Sequence, residues 1–203
     1  DGSLNLVRRD RVNVAAADPD HPDPARLELF NHRFMQVAEQ MGAVLQATAV
    51  SVNIRERLDF SCALFDAQGA LIANAPHMPV HLGSMGASVR AVITANRDEL
   101  RPNRTWMLNA PYAGGTHLPD ITVVTPVFDA AGKDIIFFVA SRGHHEDVGG
   151  LTPGSMTPLA TTILEEGVLI DNVKLVEAGL FLEDDVLHVL QSGPYPARQP
   201  KKN

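Results

Sequence analysis

Gly114-Gly115-Thr116-His117-Leu118-Pro119-Asp120 and Arg142-Gly143-His144-His145-Glu146-Asp147 are the two segments around which this fold is organised. Between them lie two runs rich in β-branched and aromatic residues, 121–128 and 135–140, which a short segment containing Gly132 joins. Such runs on either side of a glycine-containing turn are typical of a β-hairpin. The sequence therefore predicts that this hairpin brings its two flanking segments together at one end of a sheet.

The register of the hairpin decides which polar residues meet. If Phe128 pairs with Asp134, Asp120 faces Arg142 across the antiparallel ladder, and His144 lies across from Leu118, two positions further along. Facing residues in such a ladder are separated by roughly 5 Å. We therefore expect polar side chains of the two segments to lie within contact distance.

His117, Asp120 and His144 are the candidate metal ligands of this cluster. Nitrogen and oxygen ligands without sulfur suit Zn, Mn or Fe(II), and the spacing does not choose among them. A simpler alternative is a turn in which Asp120 accepts backbone N–H groups while His117 lies at the surface. Neighbouring residues of a strand point to opposite faces, so only one of His144 and His145 should join the site.

Length and charge narrow the class of protein. The chain has 203 residues, enough for one domain with a sizeable core, and a formal net charge of −7, which argues against nucleic-acid binding. Cys62 is the only cysteine, which excludes an intramolecular disulfide and a thiolate zinc cluster. No apolar run reaches the roughly 20 residues of a membrane span. We expect a cytoplasmic protein with no membrane partner.

The chain divides into three parts by composition. Residues 1–24 are rich in Pro and Asp and predict a linker or arm, residues 25–192 form the metal-binding domain, and residues 193–203 form a polar tail or a truncation point. Because the chain begins without methionine and ends in a polar tail, we expect it to be part of a longer protein.

Two helices are predicted. The first begins with Asp23 as N-cap and Pro24 in the first turn. Its apolar residues recur at spacings of three and four and predict one core-facing stripe, which comprises Leu27, Phe30, Phe34, Val37, Met41, Val44 and Thr48. The second helix is predicted from Ser84 to Leu100 with Pro102 ending it. A short helix is expected over 183–191.

A second hairpin is predicted from strands 58–65 and 70–73. Pairing of Phe65 with Ala70 places Asp59 near His77, with His81 close in sequence. From the residues alone, Asp59 is better explained by an ion pair with Arg55 or Arg57 than by metal binding. His77 and His81 are better explained as hydrogen-bonded structural histidines.

The remaining pattern completes the fold class. A short strand is predicted over 105–109, a strand or loop over 164–176, and a long Gly/Pro loop of the kind that often carries function over 149–158. The sequence thus predicts an α+β fold, with mostly antiparallel hairpins packed against a long N-terminal helix and a second mid-chain helix.

Four blocks, 53–66, 79–85, 111–120 and 141–150, resemble the hydantoinase B/5-oxoprolinase family in the same order. The resemblance runs from about Arg26 to Gln199. It implies that this chain is the N-terminal part of a hydantoinase B-type subunit or domain, since family members are two to three times longer. It also implies the metal ligands Asp59, His117, Asp120 and His144, and thereby overturns the ion-pair interpretation of Asp59.

The resemblance implies an ATP-dependent amidohydrolase that opens 5-oxoproline, a hydantoin or a related lactam. A hydantoinase A-type subunit or domain would use ATP to phosphorylate the amide oxygen, and a water activated by the divalent metal would then attack the amide carbon. We expect an oligomer. Two alternatives are a subunit of an acetone- or acetophenone-type ATP-dependent carboxylase and a non-catalytic docking module.

Three residues near the ligands are candidate catalytic groups. Asp147 or His145 would handle the proton, and Arg142, with the amides of Gly114, Gly115, Gly149 and Gly150, would steady the phosphate or the developing oxyanion. The family usually has Asn-Asp-Pro-Tyr where this chain has Asn109-Ala110-Pro111-Tyr112. The missing carboxylate puts a contact beside the metal ligands in doubt.

Overall fold

A computed structural model describes residues 23–76, 78–154 and 156–202 of the chain. The predicted arm, apart from Asp23 and Pro24, and the predicted position of His77 lie outside these residues. None of the helices in the described part combines the length and apolar character needed to cross a membrane.

The described elements confirm the predicted α+β class. Five helices are α1 (Pro24–Thr48), α2 (Val52–Arg55), α3 (Pro79–Ala95), α4 (Ile163–Glu166) and α5 (Glu183–Leu190). Seven strands are β1 (Phe60–Phe65), β2 (Leu71–Asn74), β3 (Thr105–Leu108), β4 (Asp120–Phe128), β5 (Ile135–His144), β6 (Val173–Glu177) and β7 (Leu180–Phe181). All strands join one antiparallel sheet in the order β2-β1-β5-β4-β3-β6-β7.

The two faces of the sheet carry different layers. On one face α3 buries Met85, Val89 and Val92 against β1, β3, β4 and β5. On the other face α1 covers β1 and β2, and the C-terminal segments with α5 pack over β3 and β4. Because side chains alternate along each strand, the even-numbered residues of β4 and β5 face α3 and the odd-numbered ones face α1.

The predicted register of the central hairpin is wrong by one residue next to the turn and by two residues at the site end. Asp120 pairs with His144 rather than with Arg142, and Phe128 pairs with Ile135 rather than with Asp134. A bulge between Val127 and Phe128 shifts the ladder, and a bulge of this kind adds a residue to one strand. In the second hairpin Phe65 pairs with Leu71 and not with Ala70, and the same type of irregularity, between Leu64 and Phe65, shifts the pairs beyond it by one more residue.

The N-terminal helix begins as predicted, but its buried face differs. The Asp23 side chain caps it by accepting the Ala25 amide at 3.0 Å. Ala38 and Gly42 are its buried residues, because small side chains let the helix backbone approach the sheet closely. Part of the predicted core stripe is exposed instead, namely Leu27, Phe30, Val37 and Val44.

The second predicted helix is displaced along the chain. It begins at Pro79, five residues before the predicted Ser84, and ends at Ala95. Pro79 is the first helical residue, where a missing N–H costs nothing. Leu100 is buried but follows the helix, beyond a short 3₁₀ turn at 97–99. The earlier start puts His81 on the first turn of α3.

Candidate metal centre

The site begins at one end of the central ladder. Asp120 opens β4, His144 closes β5, and the two are direct ladder partners. Their side chains face α3, and His144 Nδ1 lies 2.9 Å from Asp120 Oδ1. Both residues are buried, so this contact is shielded from water.

His117 approaches from the loop before β4. The Asp120 amide donates to the His117 carbonyl at 3.0 Å, which closes a tight turn and returns the imidazole toward the carboxylate. His117 Nδ1 lies 3.1 Å from Asp120 Oδ2. Three possible ligand atoms, one from each of His117, Asp120 and His144, all lie within 4.8 Å of one another. The structure thus brings together the three residues that the hairpin predicted.

Asp59 and His81 border this group. Asp59 Oδ2 lies 3.8 Å from His144 Nδ1, and its other oxygen lies 3.6 Å from His81 Nε2. His81 Nε2 also lies 3.4 Å from Asp120 Oδ2. Asp59 is therefore next to the predicted ligands, as the family resemblance implied. His81 was not predicted as a site residue; Pro79, a helix-start signal two residues before it, would have placed it on α3.

Asn109 holds the loop that carries His117. Its fully buried side-chain amide donates to the carbonyls of Leu118 and Val168 at 2.8 and 2.9 Å. Its side-chain oxygen accepts the Ile170 amide at 2.6 Å. These bonds join the two ends of the loop to the C-terminal part of the chain. Sequence reasoning missed this role, whose only signal was an asparagine directly before the turn.

Close packing explains the glycines of this loop. Gly114 has a φ of +95°, and a Cβ there would lie 2.8 Å from the Ala91 Cβ on α3. A Cβ on Gly115 would lie only 2.1 Å from the Asn109 carbonyl oxygen. The amides of Gly115, Gly149 and Gly150 are already donors to Ala110, Asp147 and Tyr195. These three amides are thus engaged inside the protein and do not support the predicted oxyanion contact.

The electrostatics of the cluster centre on Asp120. Burial raises the pKa of its carboxyl, but hydrogen bonds from His117, His144 and His81 outweigh burial and hold that pKa well below its usual range. The hydrogen bond to Asp120 in turn raises the pKa of His117, against the opposing effect of burial. Asp120 is therefore an anion across the physiological range, as a metal ligand must be.

Arg142 lies beneath the site and is fully buried. Its Nε donates to Thr122 Oγ1 at 2.7 Å, and its two terminal nitrogens donate to Ser84 Oγ and Ser88 Oγ of α3. Burial lowers the pKa of Arg142, and the charge of Asp120 opposes that shift. The predicted contact of Arg142 with a phosphate stays a prediction.

The other two predicted catalytic residues do not share the face of the cluster. His145 lines a cavity of about 260 Å³ with Leu45, Ile54 and Ile121, on the face of the sheet that α1 covers. Asp147 lies at the base of the 149–158 loop and accepts the amides of Gly149 and Arg198 at 3.0 and 2.6 Å. Of the two adjacent histidines, His144 lies in the group with His117 and Asp120, whereas His145 lies on the opposite face of the sheet. The catalytic roles of His145 and Asp147 stay predictions.

A second cavity, of about 270 Å³, opens beside His117. The predicted Gly/Pro loop forms one wall with Met156, Thr157 and Pro158, and Pro119 and Glu166 complete the lining. The His117 side chain is 40% exposed, so the cluster is accessible from the side of this cavity. A small molecule in this cavity would therefore lie next to the candidate ligands.

The donor set fits a divalent transition metal. Ligand atoms bind Zn and similar ions at roughly 2.1 Å, so neighbouring ligands around one ion are separated by roughly 3 to 4 Å. The contacts of Asp120 with His117 and His144, at 3.1 and 2.9 Å, match that separation. Imidazole and carboxylate groups without thiolate suit Zn, Mn or Fe(II).

Comparisons with known proteins agree on one family. A family model described as hydantoinase B/oxoprolinase matches residues 23–203. The 5-oxoprolinase 1 of Arabidopsis thaliana is 56% identical over 169 residues, which cover 83% of this chain and 13% of that protein. The chain thus spans a small part of its curated relatives.

Two solved structures share the fold. The ATP-dependent caprolactamase of Pseudomonas jessenii superposes with a TM-score of 0.76 at 28% identity, covering 89% of this chain and 31% of that one. A nucleotide-free acetone carboxylase superposes with a TM-score of 0.76 at 20% identity, covering 83% and 22% of the two chains. The likeness to the carboxylase shows the fold alone.

Proposed function

Since this chain belongs to the hydantoinase B/oxoprolinase family, we propose that it forms the metal-dependent part of an ATP-dependent enzyme that opens a cyclic amide of the 5-oxoproline type. The observation that carries the proposal is the group formed by the half-buried His117 with the buried Asp120 and His144 at the end of the central ladder. The relative named 5-oxoprolinase favours this lactam over a hydantoin, and a lactamase shares the fold.

His117, Asp120 and His144 would hold the divalent ion, with Asp59 as a fourth ligand. Bound there, the ion would supply a water of lowered pKa and polarise a substrate oxygen. Asp120 accepts from three imidazoles at once and so orients them before any ligand arrives. Such preorganisation avoids the cost of arranging these groups during the reaction.

The cavity beside His117 would receive the ring. Its walls of Pro119, Met156 and Pro158 offer apolar contact to ring methylenes, while Thr157 and Glu166 offer acceptors to a ring N–H. ATP would be used by a hydantoinase A-type subunit or domain, which would phosphorylate the amide oxygen of the bound lactam. Asp147 or His145 would handle the proton, as the sequence predicts. We propose a cytoplasmic, oligomeric enzyme.

The test uses the full-length protein together with its ATP-using part. The metal content of the purified protein is first determined by elemental analysis. ATP hydrolysis is then measured with each substrate, together with ring opening of 5-oxoproline, hydantoin and caprolactam and carboxylation of acetone. We expect stoichiometric metal and ring opening of 5-oxoproline. His144→Ala and Asp120→Asn should each lower turnover by at least about a hundredfold, because each removes a predicted ligand.

His32→Ala is the matched control, since His32 is an exposed histidine of α1 whose ionic partner among the described residues is Glu28 of the same helix. It should leave turnover unchanged. ATP-dependent carboxylation of acetone without ring opening would make the chain part of a carboxylase instead. Purification without metal, and turnover unaffected by His144→Ala, would instead indicate a docking module.

A further inference from the structure

His81 is the one residue of α3 that reaches the cluster. It is 4% exposed, and its Nε2 lies between two carboxylates, 3.4 Å from Asp120 Oδ2 and 3.6 Å from Asp59 Oδ1. We propose that His81 is a positioning residue that holds the Asp59 carboxylate toward Asp120, so that both can bind one ion. This inference rests on the metal site of the proposed function.

The groups around the His81 imidazole indicate that its hydrogen is on Nε2. Both neighbouring groups are carboxylates, which only accept hydrogen bonds. A histidine that binds a metal through one nitrogen almost always donates the N–H of its other nitrogen to an acceptor. His81 Nδ1 is buried and has no hydrogen-bond partner among the described residues. His81 therefore acts as a donor to the carboxylates and not as a further ligand.

The Asp59 side chain needs a hydrogen-bond donor beside it, because the hydrogen bonds described for Asp59 are made by its backbone. Its amide donates to the Asn53 carbonyl at 2.9 Å, and its carbonyl accepts the His144 amide at 3.0 Å. It follows Leu58, whose φ of +57° marks a sharp change of direction before β1. Its side chain is 28% exposed and its described ionic contacts are His81 and His144. The rotamer that faces the cluster is thus the one His81 stabilises.

The first turn of α3 is itself anchored, so His81 approaches from a fixed direction. Ser61 Oγ of β1 donates to the Met78 carbonyl at 3.0 Å, just before the helix begins. Ser84 Oγ donates to the His81 carbonyl at 3.1 Å and accepts from the buried Arg142. Arg142 therefore acts on the site through Ser84 and His81.

A second branch from Arg142 reaches the His117 loop. Arg142 donates to Ser88 Oγ at 2.7 Å, and Ser88 Oγ donates to the Gly114 carbonyl at the start of that loop. One buried guanidinium thus connects α3, β5 and the His117 loop. These contacts support a positioning role for Arg142 without contact to substrate.

The test measures metal affinity in the full-length protein, by competition of Zn²⁺ with a chelator. His81→Leu removes the donor and should weaken Zn²⁺ binding about 10- to 100-fold. His81→Gln keeps an N–H near the position of Nε2 and should bind within about threefold of the wild type. In a protein that already carries Asp59→Ala, His81→Leu should lower the Zn²⁺ affinity little further, because the two residues act as a unit.

Val89→Ala is the matched control on the same helix. Val89 is fully buried in the core below α3, so its truncation should lower the unfolding temperature and leave Zn²⁺ affinity unchanged. A His81→Leu protein with wild-type affinity, or a loss that is additive with Asp59→Ala, overturns the positioning role alone.

Absorption spectra of the Co²⁺-loaded proteins separate a donor from a ligand. Retention of the wild-type spectrum in His81→Gln supports the donor role, whereas loss of a nitrogen ligand from it overturns that role. A wild-type protein that binds neither Zn²⁺ nor Co²⁺ overturns this inference and the metal site of the proposed function together.

Discussion

At the scale of single residues, Asp120 explains why three distant segments meet. A buried carboxylate without partners would cost several kcal/mol, so the fold needs donors wherever it places one. Here the donors come from the His117 loop, from His144 at the end of β5 and from His81 on α3. The Asp120 carboxylate therefore has partners from all three segments, and the site forms only when the fold is complete.

Gly115→Ala tests the close approach of the loop to its own backbone. The added Cβ would lie 2.1 Å from the Asn109 carbonyl oxygen, a distance that only a backbone shift relieves. We expect a loss of about 2 to 4 kcal/mol in the free energy of unfolding, measured by urea denaturation, together with weaker metal binding because His117 follows two residues later.

Gly83→Ala is the control for that substitution. Gly83 lies inside α3, and a Cβ there would meet no atom within 4 Å. Alanine is about 1 kcal/mol better than glycine in a helix interior, so this variant should be more stable than the wild type. A Gly115→Ala protein as stable as the wild type would mean that the crowding around Gly115 relaxes easily.

The candidate ligand residues could be predicted from sequence, but the residues that hold them in place could not. His117, Asp120 and His144 belong to one hairpin, so strand pairing alone brings them together. His81 contacts groups 22 and 39 residues away in the chain, and Asn109 contacts groups 59 and 61 residues away. Such contacts depend on how whole layers pack, and local periodicity carries no information on that packing.

At the scale of elements, the two hairpins show how far a register can be predicted. Strand composition and turn residues located both hairpins correctly. In both hairpins the pair next to the turn lies one residue from the predicted one, and the bulges at Val127/Phe128 and Leu64/Phe65 add a second residue to the shift beyond it. A bulge depends on twist and on the neighbouring layers, so it has no reliable local signal. In the central hairpin the shift pairs Asp120 directly with His144, which strengthens the predicted cluster.

The burial of β1 predicts an unreactive thiol. All six residues of this strand are buried between β2 and β5, and burial raises the pKa of Cys62 to about 12. Because the thiolate is the reactive form, Cys62 should not react with a thiol reagent at pH 8 in the native protein. Reaction should appear only across the urea unfolding transition. Rapid reaction without denaturant would show that β1 is exposed by local opening.

At the scale of the whole molecule, the C-terminal segment closes back onto the end of the sheet. The Ala197 amide donates to the Leu190 carbonyl, and Ala197 is buried with Val148 and Ile170 in one cluster. Asp147 then accepts the amides of Arg198 and Gln199 and pairs with the Arg198 side chain. The segment after β5 and the end of the described chain are thus joined at one carboxylate.

Asp147→Asn tests this junction. Burial raises the pKa of Asp147, but the amides of Gly149, Arg198 and Gln199 outweigh burial and lower it. A carboxyl with a lowered pKa stabilises the fold above its ordinary pKa of about 4, and that contribution is lost as the pH falls through the folded value. The free energy of unfolding of the variant should therefore be about 1 to 2 kcal/mol lower than that of the wild type at pH 7, and the difference should shrink below about pH 4.

Thermal unfolding at a series of pH values measures this difference, with substitution of an exposed residue, Asp98→Asn, as the control. An unchanged stability together with lost ring opening would instead support the predicted catalytic role of Asp147.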